Sequence, residues 1–391
     1  MKISLIIGIF LLFCISCVSA QKVETISILD FGARPNDGKD DQLAFEKLSK
    51  YINKKKRNLV VVIPKGVYQV GRQIRNSESN YYLTGQDVIR IENCTNIKIV
   101  GQAGAKLLFN VGMRFGSFEP ETGNSTDKTF ECVPKNNIAK ERAMLGKVIN
   151  IINSDHIIIN NLSLDGNFYP ETLNNMNSFE IRNLKRNSKF QKKSINIGGG
   201  YGNCGIQIEH YGIFVFHSSN VYISKVNADR FGTDGLMIAN VDKKHKNINV
   251  SNSNFDCNSR TGIAIGGGED ITIKHCNLTN TGRLLYISTA TGIDIEPEAD
   301  AQTHEKSVSG LLIEKCNFSG NSEGAILAKF GGSSNHIRVI NCNISSDRTA
   351  VVVGEKVKSF TFQNNRLNGG EFILNGAKRT DVQDGGNYHF N

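Results

Sequence analysis

The second half of the chain repeats a short pattern in which apolar residues occupy alternate positions. Each copy continues with a small or polar pair and then another apolar residue. A spacing of two is that of a β-strand with one buried face, whereas a helical solenoid would need a spacing of about 3.6. The copies occupy residues 157–164, 221–228, 248–255, 271–278, 311–318, 337–344 and 360–367.

An asparagine recurs at one position when these copies are placed in register. Successive asparagines are about 25 residues apart, as the turns of a solenoid are, and a longer interval between Asn277 and Asn317 indicates an insertion. Stacked turns would place each amide about 4.8 Å from the next, where it can donate and accept along a ladder. Cysteines that precede some of these asparagines suit small, buried, apolar positions. The asparagines are Asn227, Asn254, Asn277, Asn317 and Asn343, and the cysteines are Cys276, Cys316 and Cys342.

A second family of strands lies just upstream of most copies, and each member begins with glycine. Its members are residues 212–216, 235–239, 262–266, 292–296 and 324–328. A glycine is expected where a loop turns sharply into a strand. A weaker third strand, such as Leu162 to Leu164, completes the turn. We therefore predict an all-β chain that forms a single-stranded right-handed parallel β-helix with three short strands per turn.

The N-terminal part predicts a cap for this solenoid. Asp40 and Asp41 precede an amphipathic pattern, so we expect an N-capped helix here and then a strong strand from Leu59 to Val70. The apolar side of the helix carries Leu43, Ala44, Leu48 and Ile52.

The same region resembles the N-terminal signature of the pectate lyase-like superfamily. The resemblance lies in Leu-Asp-Phe-Gly-Ala-Arg-Pro-Asn-Asp-Gly-Lys-Asp-Asp at 29–41, in the helix after it, and in Val-Ile-Pro-Lys-Gly-Val-Tyr at 62–68. That superfamily includes polygalacturonases, rhamnogalacturonases, epimerase-like β-helices and phage tailspikes. The resemblance, which spans roughly residues 28–70, implies a right-handed parallel β-helix with an N-terminal capping helix.

The resemblance does not extend to the catalytic segments of the better-known members. Polygalacturonases would be expected to show Asn-x-Asp, Asp-Asp, Gly-His-Gly and Arg-x-Lys, and alginate epimerases of this fold carry Asp-Pro-His. These segments are missing at the matching places in this chain. The resemblance therefore implies the fold and not one of these activities.

Residues 1–20 predict a signal peptide. Lys2 is followed by an apolar run and then by Val18-Ser19-Ala20, a small-residue cleavage site. We expect cleavage after Ala20 and a secreted protein, extracellular or periplasmic, with a lipid-anchored form through Cys14 or Cys17 as the less favoured alternative. No other stretch reaches about 18 apolar residues, so no transmembrane segment is expected.

Residues 21–391 are expected to form one β-helix domain. We place its N-terminal cap at about 25–75 and expect loop insertions at about 112–147 and 166–210. Long loops in a solenoid often wall a binding groove. The second insertion is rich in Lys and Arg, which could clamp an anionic chain or simply be solvated.

The formal net charge of +9 favours an acidic partner such as an anionic polysaccharide. Nucleic acid is disfavoured because no basic stretch is interleaved with aromatics, no zinc-ligand spacing occurs and tryptophan is absent. The cysteines outside the leader are odd in number and form no Cys-x-x-Cys pair, so neither a disulfide framework nor a zinc knuckle is expected. A monomer is the default expectation.

Asp294 and Glu296 are the strongest candidates for chemistry. If Ile293 and Ile295 point inward, the two acids point outward on one face, about 7 Å apart. A carboxyl group above apolar neighbours has a raised pKa, as a general acid needs, and this spacing fits an inverting glycosidase. The equivalent outward positions on adjacent turns are expected to be Phe214 and Phe216, Met237 and Ala239, Ala264 and Gly266, and Ile326 and Ala328.

Two other interpretations of this strand remain open. The acids could be a solvated strand end, or they could bind Ca²⁺ together with Glu298 and Asp300; no other cofactor is expected. Asp234 is a candidate for assisting catalysis. Basic side chains nearby could pair with a carboxylate or sulfate of the substrate. The candidate substrate-binding residues are Arg230, Arg260, Arg283, His217, Lys329 and Phe214.

Three functions follow from this pattern. The first is a secreted glycoside hydrolase that cleaves a polysaccharide with Asp294 and Glu296 as acid and base. The second is a polysaccharide lyase acting on a uronate polymer, with Lys329, Arg260 or His210 abstracting the proton. The third is a non-catalytic β-helix that binds glycans or shapes a cell surface.

Overall fold

The computed structural model describes residues 23–75, 81–124, 139–168, 195–197, 208–240, 245–284, 286–298 and 307–390. These residues form a right-handed parallel β-helix with one capping helix, as predicted, and 28 of their strands belong to one continuous sheet. The predicted signal peptide and the basic part of the second insertion lie outside the described residues. Among the described residues, no helix has the length and apolar character needed to cross a membrane.

The elements of the N-terminal half include the cap and the first turns. They are β1 (Glu24–Ser27), a 3₁₀ turn (Ile28–Phe31), α1 (Gln42–Lys55), β2 (Arg57–Ile63), β3 (Gly66–Val70), β4 (Gln73–Ile74), β5 (Thr84–Gly85), β6 (Ile89–Glu92), β7 (Thr95–Gly101), β8 (Ala105–Phe109), β9 (Arg114–Ser117), a 3₁₀ turn (Ala139–Glu141), β10 (Arg142–Ala143), β11 (Gly146–Ile152), β12 (Asp155–Asp165) and β13 (Asn196–Ile197).

The elements of the C-terminal half are shorter and more regular. They are β14 (His210–Phe216), β15 (Ser219–Asp229), β16 (Asp234–Ala239), β17 (Lys246–Ser251), β18 (Asn254–Asp256), β19 (Thr261–Lys274), β20 (Asn277–Thr279), β21 (Thr291–Ile295), β22 (Ser307–Ser309), β23 (Leu312–Glu314), β24 (Asn317–Ser319), β25 (Gly324–Ala328), β26 (Ser333–Ile340), β27 (Asn343–Ser345), β28 (Thr349–Gly354), β29 (Val357–Gln363), β30 (Arg366–Asn368), β31 (Glu371–Asn375), a 3₁₀ turn (Arg379–Asp381), β32 (Val382–Gly385) and β33 (Tyr388–Phe390).

The strands stack in parallel to form three faces. The first face consists of β6, β11, β14, β16, the first half of β19, β21, β25, β28 and β31. The second face runs from β2 and β7 through β12, β15, β17, the second half of β19, β23, β26 and β29 to β32. The third face runs from β3 and β8 through the ends of β12 and β15 to β18, β20, β24, β27, β30 and β33. Each strand edge is thereby covered by the next turn.

The helix α1 covers the free edge of β6, the first strand of the first face. The Ser49 hydroxyl accepts from the Arg90 amide at 3.0 Å, and the Asn53 side chain accepts from the Glu92 amide at 2.9 Å. Leu43 is 57% exposed, so its predicted place on the apolar side is wrong, whereas Ala44, Leu48 and Ile52 are buried as predicted. The Asp41 side chain does not cap the helix, because it accepts from the Arg34 amide instead.

The predicted asparagine ladder is confirmed. Each side chain donates to the amide oxygen of the copy on the preceding turn at 2.6 to 2.8 Å, from Asn254 on Asn227 through to Asn343 on Asn317. Cys276, Cys316 and Cys342 are fully buried free thiols, as expected for small apolar positions. The ladder fixes the register of the third face.

The glycines of the second strand family are explained by close packing. A Cβ on Gly262 would lie 2.8 Å from the carbonyl oxygen of Gly292, its counterpart on the next turn. The turns therefore approach too closely for any side chain at this position. We predicted these glycines from a sharp turn at the start of each strand. That reason applies to Gly324, whose backbone φ angle is positive.

Candidate functional site

Asp294 lies on the outer side of the first face. Ile293 and Ile295 are fully buried in the core, and Asp294 pairs in register with Ala264 on the turn before and Leu327 on the turn after. The strand that carries Asp294, β21, is thus paired with β19 on one side and with β25 on the other.

The outward residues predicted for the next turn are wrong. Ile326 pairs with the inward Ile293, so Ile326 and Ala328 face the core and Leu327 faces outward. The cause is a one-residue offset, since Gly324 pairs with Thr291 rather than with Gly292. A shift of one residue in a strand reverses its two faces.

Arg260 joins Asp294 and Glu296 into one group. It lies in the bend between β18 and β19, and its Nη2 atom is 3.7 Å from Asp294 Oδ2 and 3.5 Å from Glu296 Oε2. The side chains of Arg260 and Asp294 are only 4% and 1% exposed, whereas that of Glu296 is 37% exposed. A buried carboxyl group and a more accessible one therefore contact the same guanidinium nitrogen.

Asp234 holds Arg260 from the other side. Its Oδ2 atom accepts from Arg260 Nη1 at 3.1 Å, and its Oδ1 atom accepts from the Thr261 hydroxyl at 2.7 Å. Asp234 is fully buried, and burial raises its pKa against the opposing effects of Arg260 and Thr261. One oxygen of Asp234 therefore positions Arg260 and the other binds Thr261, so any assistance that Asp234 gives to catalysis would act through Arg260.

The carboxyl group of Asp294 has one bound and one unbound oxygen. The Thr289 hydroxyl donates to Oδ2 at 3.1 Å, whereas Oδ1 has no hydrogen-bond partner among the described residues. Burial raises the pKa of Asp294 to about 7, and Glu296 and Asp234 also raise it, against Arg260 and Thr289. The nearby Arg260 does not reverse this shift, because its single charge is shared among three carboxyl groups. Asp294 can therefore hold a proton near neutral pH.

An apolar outer cluster extends from Asp294 toward the cap. Phe214, Met237, Ala264 and Asp294 occupy one register position on successive turns of the first face. The cluster consists of Tyr211, Met237, Ala239 and Ala264, with Phe214 and Phe216 packed against it. The predicted floor of apolar and small residues is therefore present on the turns before Asp294.

Two of the arginines proposed to bind substrate have structural partners elsewhere. Arg230 binds the buried carboxylate of Asp165, which also pairs with Lys106 at 2.6 Å. Arg283 donates to the Gly320 carbonyl oxygen and lies 3.5 Å from Asp347. Arg260 itself is the arginine that contacts the candidate acids.

The proposed histidine and lysine groups lie against aromatic rings. His217 stacks on Phe216 and on His245, with ring centroids 3.9 and 5.0 Å apart. Lys329 lies over the ring of Phe330, with its nitrogen 5.0 Å from the ring centre.

His210 is a core residue, which corrects its proposed role as a proton-abstracting base. The side chain is fully buried, and its Nδ1 atom accepts from the Gly232 amide at 2.8 Å. Burial holds its pKa well below the ordinary value. The ring packs against Phe109, Phe115, Phe168 and Phe231.

Calcium binding by this strand stays a prediction. Arg260 contacts both Asp294 and Glu296, so a cation is already present between the acids. Asp300 lies outside the described residues, and the backbone amide of Glu298 binds the Gly266 carbonyl oxygen. Within the described ranges, no group of three or more His, Cys, Asp or Glu side chains is placed to hold a metal ion.

Sequence reasoning missed three groups of this site. Thr289 reaches Asp294 from the insertion before β21, where no periodic pattern predicts a position. Thr261 and Tyr211 lie at strand starts, where alternation does not yet apply. Burial raises the pKa of the Tyr211 hydroxyl, with Asp234 adding to that shift.

The raised pKa of Asp294 predicts how stability depends on pH. A carboxyl group whose folded pKa is raised contributes stability that is complete below its unfolded pKa of about 4, and this contribution is lost as pH rises through about 7. Asp294→Asn should therefore gain stability relative to the parent between pH 4 and 8, by an amount on the order of 4 kcal/mol. The free energy of unfolding in denaturant, measured across this range, checks the difference.

Glu314→Gln is a control with the opposite sign. Lys274 lowers the pKa of Glu314 on the second face through a hydrogen bond at 3.0 Å. This variant should lose a little stability relative to the parent as pH rises above about 4. A difference between Asp294→Asn and the parent that does not change with pH would contradict the assigned pKa.

Solved structures of similar fold come from several bacteria. A family 28 exopolygalacturonase from Yersinia enterocolitica superposes with a TM-score of 0.55 at 15% identity, over 93% of this chain and 63% of that one. A hyperthermoactive exopolygalacturonase from Thermotoga maritima gives a TM-score of 0.46 at 13% identity, over 88% and 81% of the two chains. PfbA, a surface adhesin of Streptococcus pneumoniae, gives 0.46 at 13% identity, over 94% and 92%.

These similarities to solved structures concern the fold and not the sequence. The chain spans less than two thirds of the Yersinia enzyme. No protein-family model matches the chain, and no characterised protein matches it by sequence. What the comparison shows is the fold: the chain is a right-handed parallel β-helix, the architecture of the pectate lyase-like superfamily that residues 28–70 resemble.

Proposed function

We propose that the chain is a secreted glycoside hydrolase that cleaves an anionic polysaccharide on the first face. The observation that carries the proposal is the unequal pair of carboxyl groups at Arg260. Asp294 is buried with a pKa of about 7, whereas Glu296 is partly exposed, and both contact the same nitrogen. When two carboxyl groups differ in burial in this way, the buried one is suited to act as the general acid and the accessible one as the base.

In the proposed reaction, Asp294 is the general acid. It donates its proton to the glycosidic oxygen as the bond from that oxygen to the anomeric carbon breaks. Glu296, the more accessible group, takes a proton from the water that adds to the anomeric carbon. Asp294 ends ionised and Glu296 ends protonated, and exchange with solvent restores both.

The stereochemical outcome depends on how far apart the two carboxyl groups are held. Asp294 Oδ2 and Glu296 Oε2 lie 3.7 and 3.5 Å from the same Arg260 nitrogen, so the anomer first formed, and not the strand spacing, decides between inversion and retention. Since Asp294 is only 1% exposed, a sugar must displace a neighbouring group to reach Oδ1.

A screen of the purified protein against acidic and neutral polysaccharides tests the proposal. A hydrolase releases new reducing ends without unsaturated products, and the anomer first formed reports inversion or retention. Accumulation of products with the ultraviolet absorbance of unsaturated uronates would instead show a lyase. Of the bases named for a lyase, His210 is in the core and Arg260 is bound by carboxylates, which leaves Lys329 as the candidate base.

One observation favours a non-catalytic glycan-binding function as the second candidate. The network of Asp234, Arg260 and Asp294 is almost fully buried, as a structural ion cluster would be. Binding of a polysaccharide that is unchanged in Asp294→Asn, together with no release of reducing ends by the parent, would favour that function.

A further inference from the structure

A polar cavity lies at the capped end of the first face, between α1 and the outer side of β6 and β11. Its volume is about 680 Å³, large enough for a sugar residue. One side of α1 lines it with Glu46, Ser49, Lys50, Asn53 and Lys54, and the sheet contributes Asp87, Arg90 and Lys147.

The acidic groups of this cavity are already neutralised. Asp87 pairs with Arg90 at 3.2 Å, Glu209 pairs with Lys147 at 2.8 Å, and Glu46 pairs with Arg72, which is not part of the lining, at 2.8 Å. Lys50 and Lys54 are exposed on one side of α1 and have no acidic partner within the described ranges. The cavity therefore has an excess of positive charge at its helical wall.

Lys147 connects this cavity with the apolar outer cluster. It is 9% exposed, and its nitrogen lies 5.1 Å from the ring centre of Phe214. Arg90, Asn150 and Phe214 occupy one register position on successive turns, and this line continues to Asp294. With about 4.8 Å per turn, the cavity and Asp294 are about 24 Å apart along one face.

We infer that this cavity is a distal subsite for an anionic sugar residue of the same polymer chain. Its ligand is a carboxylate or sulfate group, held by Lys50 and Lys54 while the polar walls bind hydroxyl groups. The inference rests on the proposed polysaccharide groove. It adds that the polymer spans about five turns and that an anionic group is recognised far from the acids.

Binding measurements on the Lys50→Gln/Lys54→Gln double variant test this inference. The matched control is Lys47→Gln/Lys98→Gln, which removes the same charge from exposed positions outside the cavity. Both doubles are made in the Glu296→Gln background, so turnover does not interfere. The probes are polygalacturonate for the carboxylate, a sulfated galactan for the sulfate ester and the unsulfated galactan as the neutral polymer.

We expect the cavity double to bind at least one anionic polymer about tenfold more weakly than its background, with a smaller dependence on salt. The control should change binding little, and the anionic polymer that loses more identifies the group recognised. Equal losses in the two doubles, a loss for both anionic polymers that is no greater than the loss for the neutral galactan, or no binding of either anionic polymer would each overturn the inference. This experiment measures binding. If the subsite inference fails, the hydrolase proposal is therefore still tested separately, by the release of reducing ends by the parent protein.

Discussion

Asp294→Asn should lower the rate of polysaccharide cleavage by about 10²- to 10⁴-fold, the range expected when a general acid is removed. Asparagine keeps the shape of the side chain and can still accept from Thr289, but it cannot donate a proton to the leaving oxygen. The measurement is the initial rate of reducing-end release on the best substrate from the screen. The binding of that substrate should change much less than the rate.

Glu296→Gln should lower the rate to a similar extent, because glutamine cannot take a proton from water. Glu314→Gln is the matched control, since Glu314 also lies on a strand of the coil but pairs with Lys274 on the second face. It should cleave at the parental rate. Equal activity of the parent, Asp294→Asn and Glu296→Gln would show that the chemistry lies elsewhere.

Arg260→Met should destabilise the fold by about 3 to 5 kcal/mol at pH 8, the cost of leaving a buried charge without its partner. Arg260 is 4% exposed, and its guanidinium contacts both the fully buried Asp234 and Asp294. The destabilisation should shrink as pH falls, since protonation of the two carboxyl groups removes the uncompensated charge. Unfolding in denaturant at several pH values measures this effect.

Two further variants make the Arg260 prediction specific. Arg283→Met removes an arginine from the same bend on the next turn, where its partner Asp347 is 92% exposed, so stability should change by about 1 kcal/mol at most. Asp234→Asn combined with Arg260→Met should recover a large part of the loss, because the charge of the fully buried Asp234 is then absent and only that of Asp294 remains. An equal loss in the free energy of unfolding for Arg260→Met and Arg283→Met would contradict the role of Arg260 in compensating buried carboxylates.

Much of the fold could be predicted because a β-helix repeats one local rule. Alternation along a strand assigns inward and outward residues, and copies of the strand stack at a fixed spacing. Asn254 and Asn277 could therefore be placed in a ladder without coordinates, and Ile293 and Ile295 could be placed inside. The outward position of Asp294 follows from the same alternation.

The rest of the site depends on features that do not repeat. Arg260 lies in a bend, where the direction of a side chain is not set by alternation, and Thr289 lies in an insertion. The offset at Gly324 shows the other weakness, because one residue of slip exchanged the predicted faces of β25. The burial of His210 likewise depends on segments that are distant in the chain, because its ring packs against Phe109 and Phe231.

The protonation of Asp294 is the claim on which the proposed chemistry depends, and titration of its side-chain carboxyl carbon by ¹³C NMR measures it directly. The signal is identified by its absence from Asp294→Asn. We expect a midpoint of about 7, as burial between Glu296 and Asp234 requires. A midpoint near 4, the value of a solvated aspartate, would mean that Asp294 is ionised at neutral pH and cannot serve as the acid.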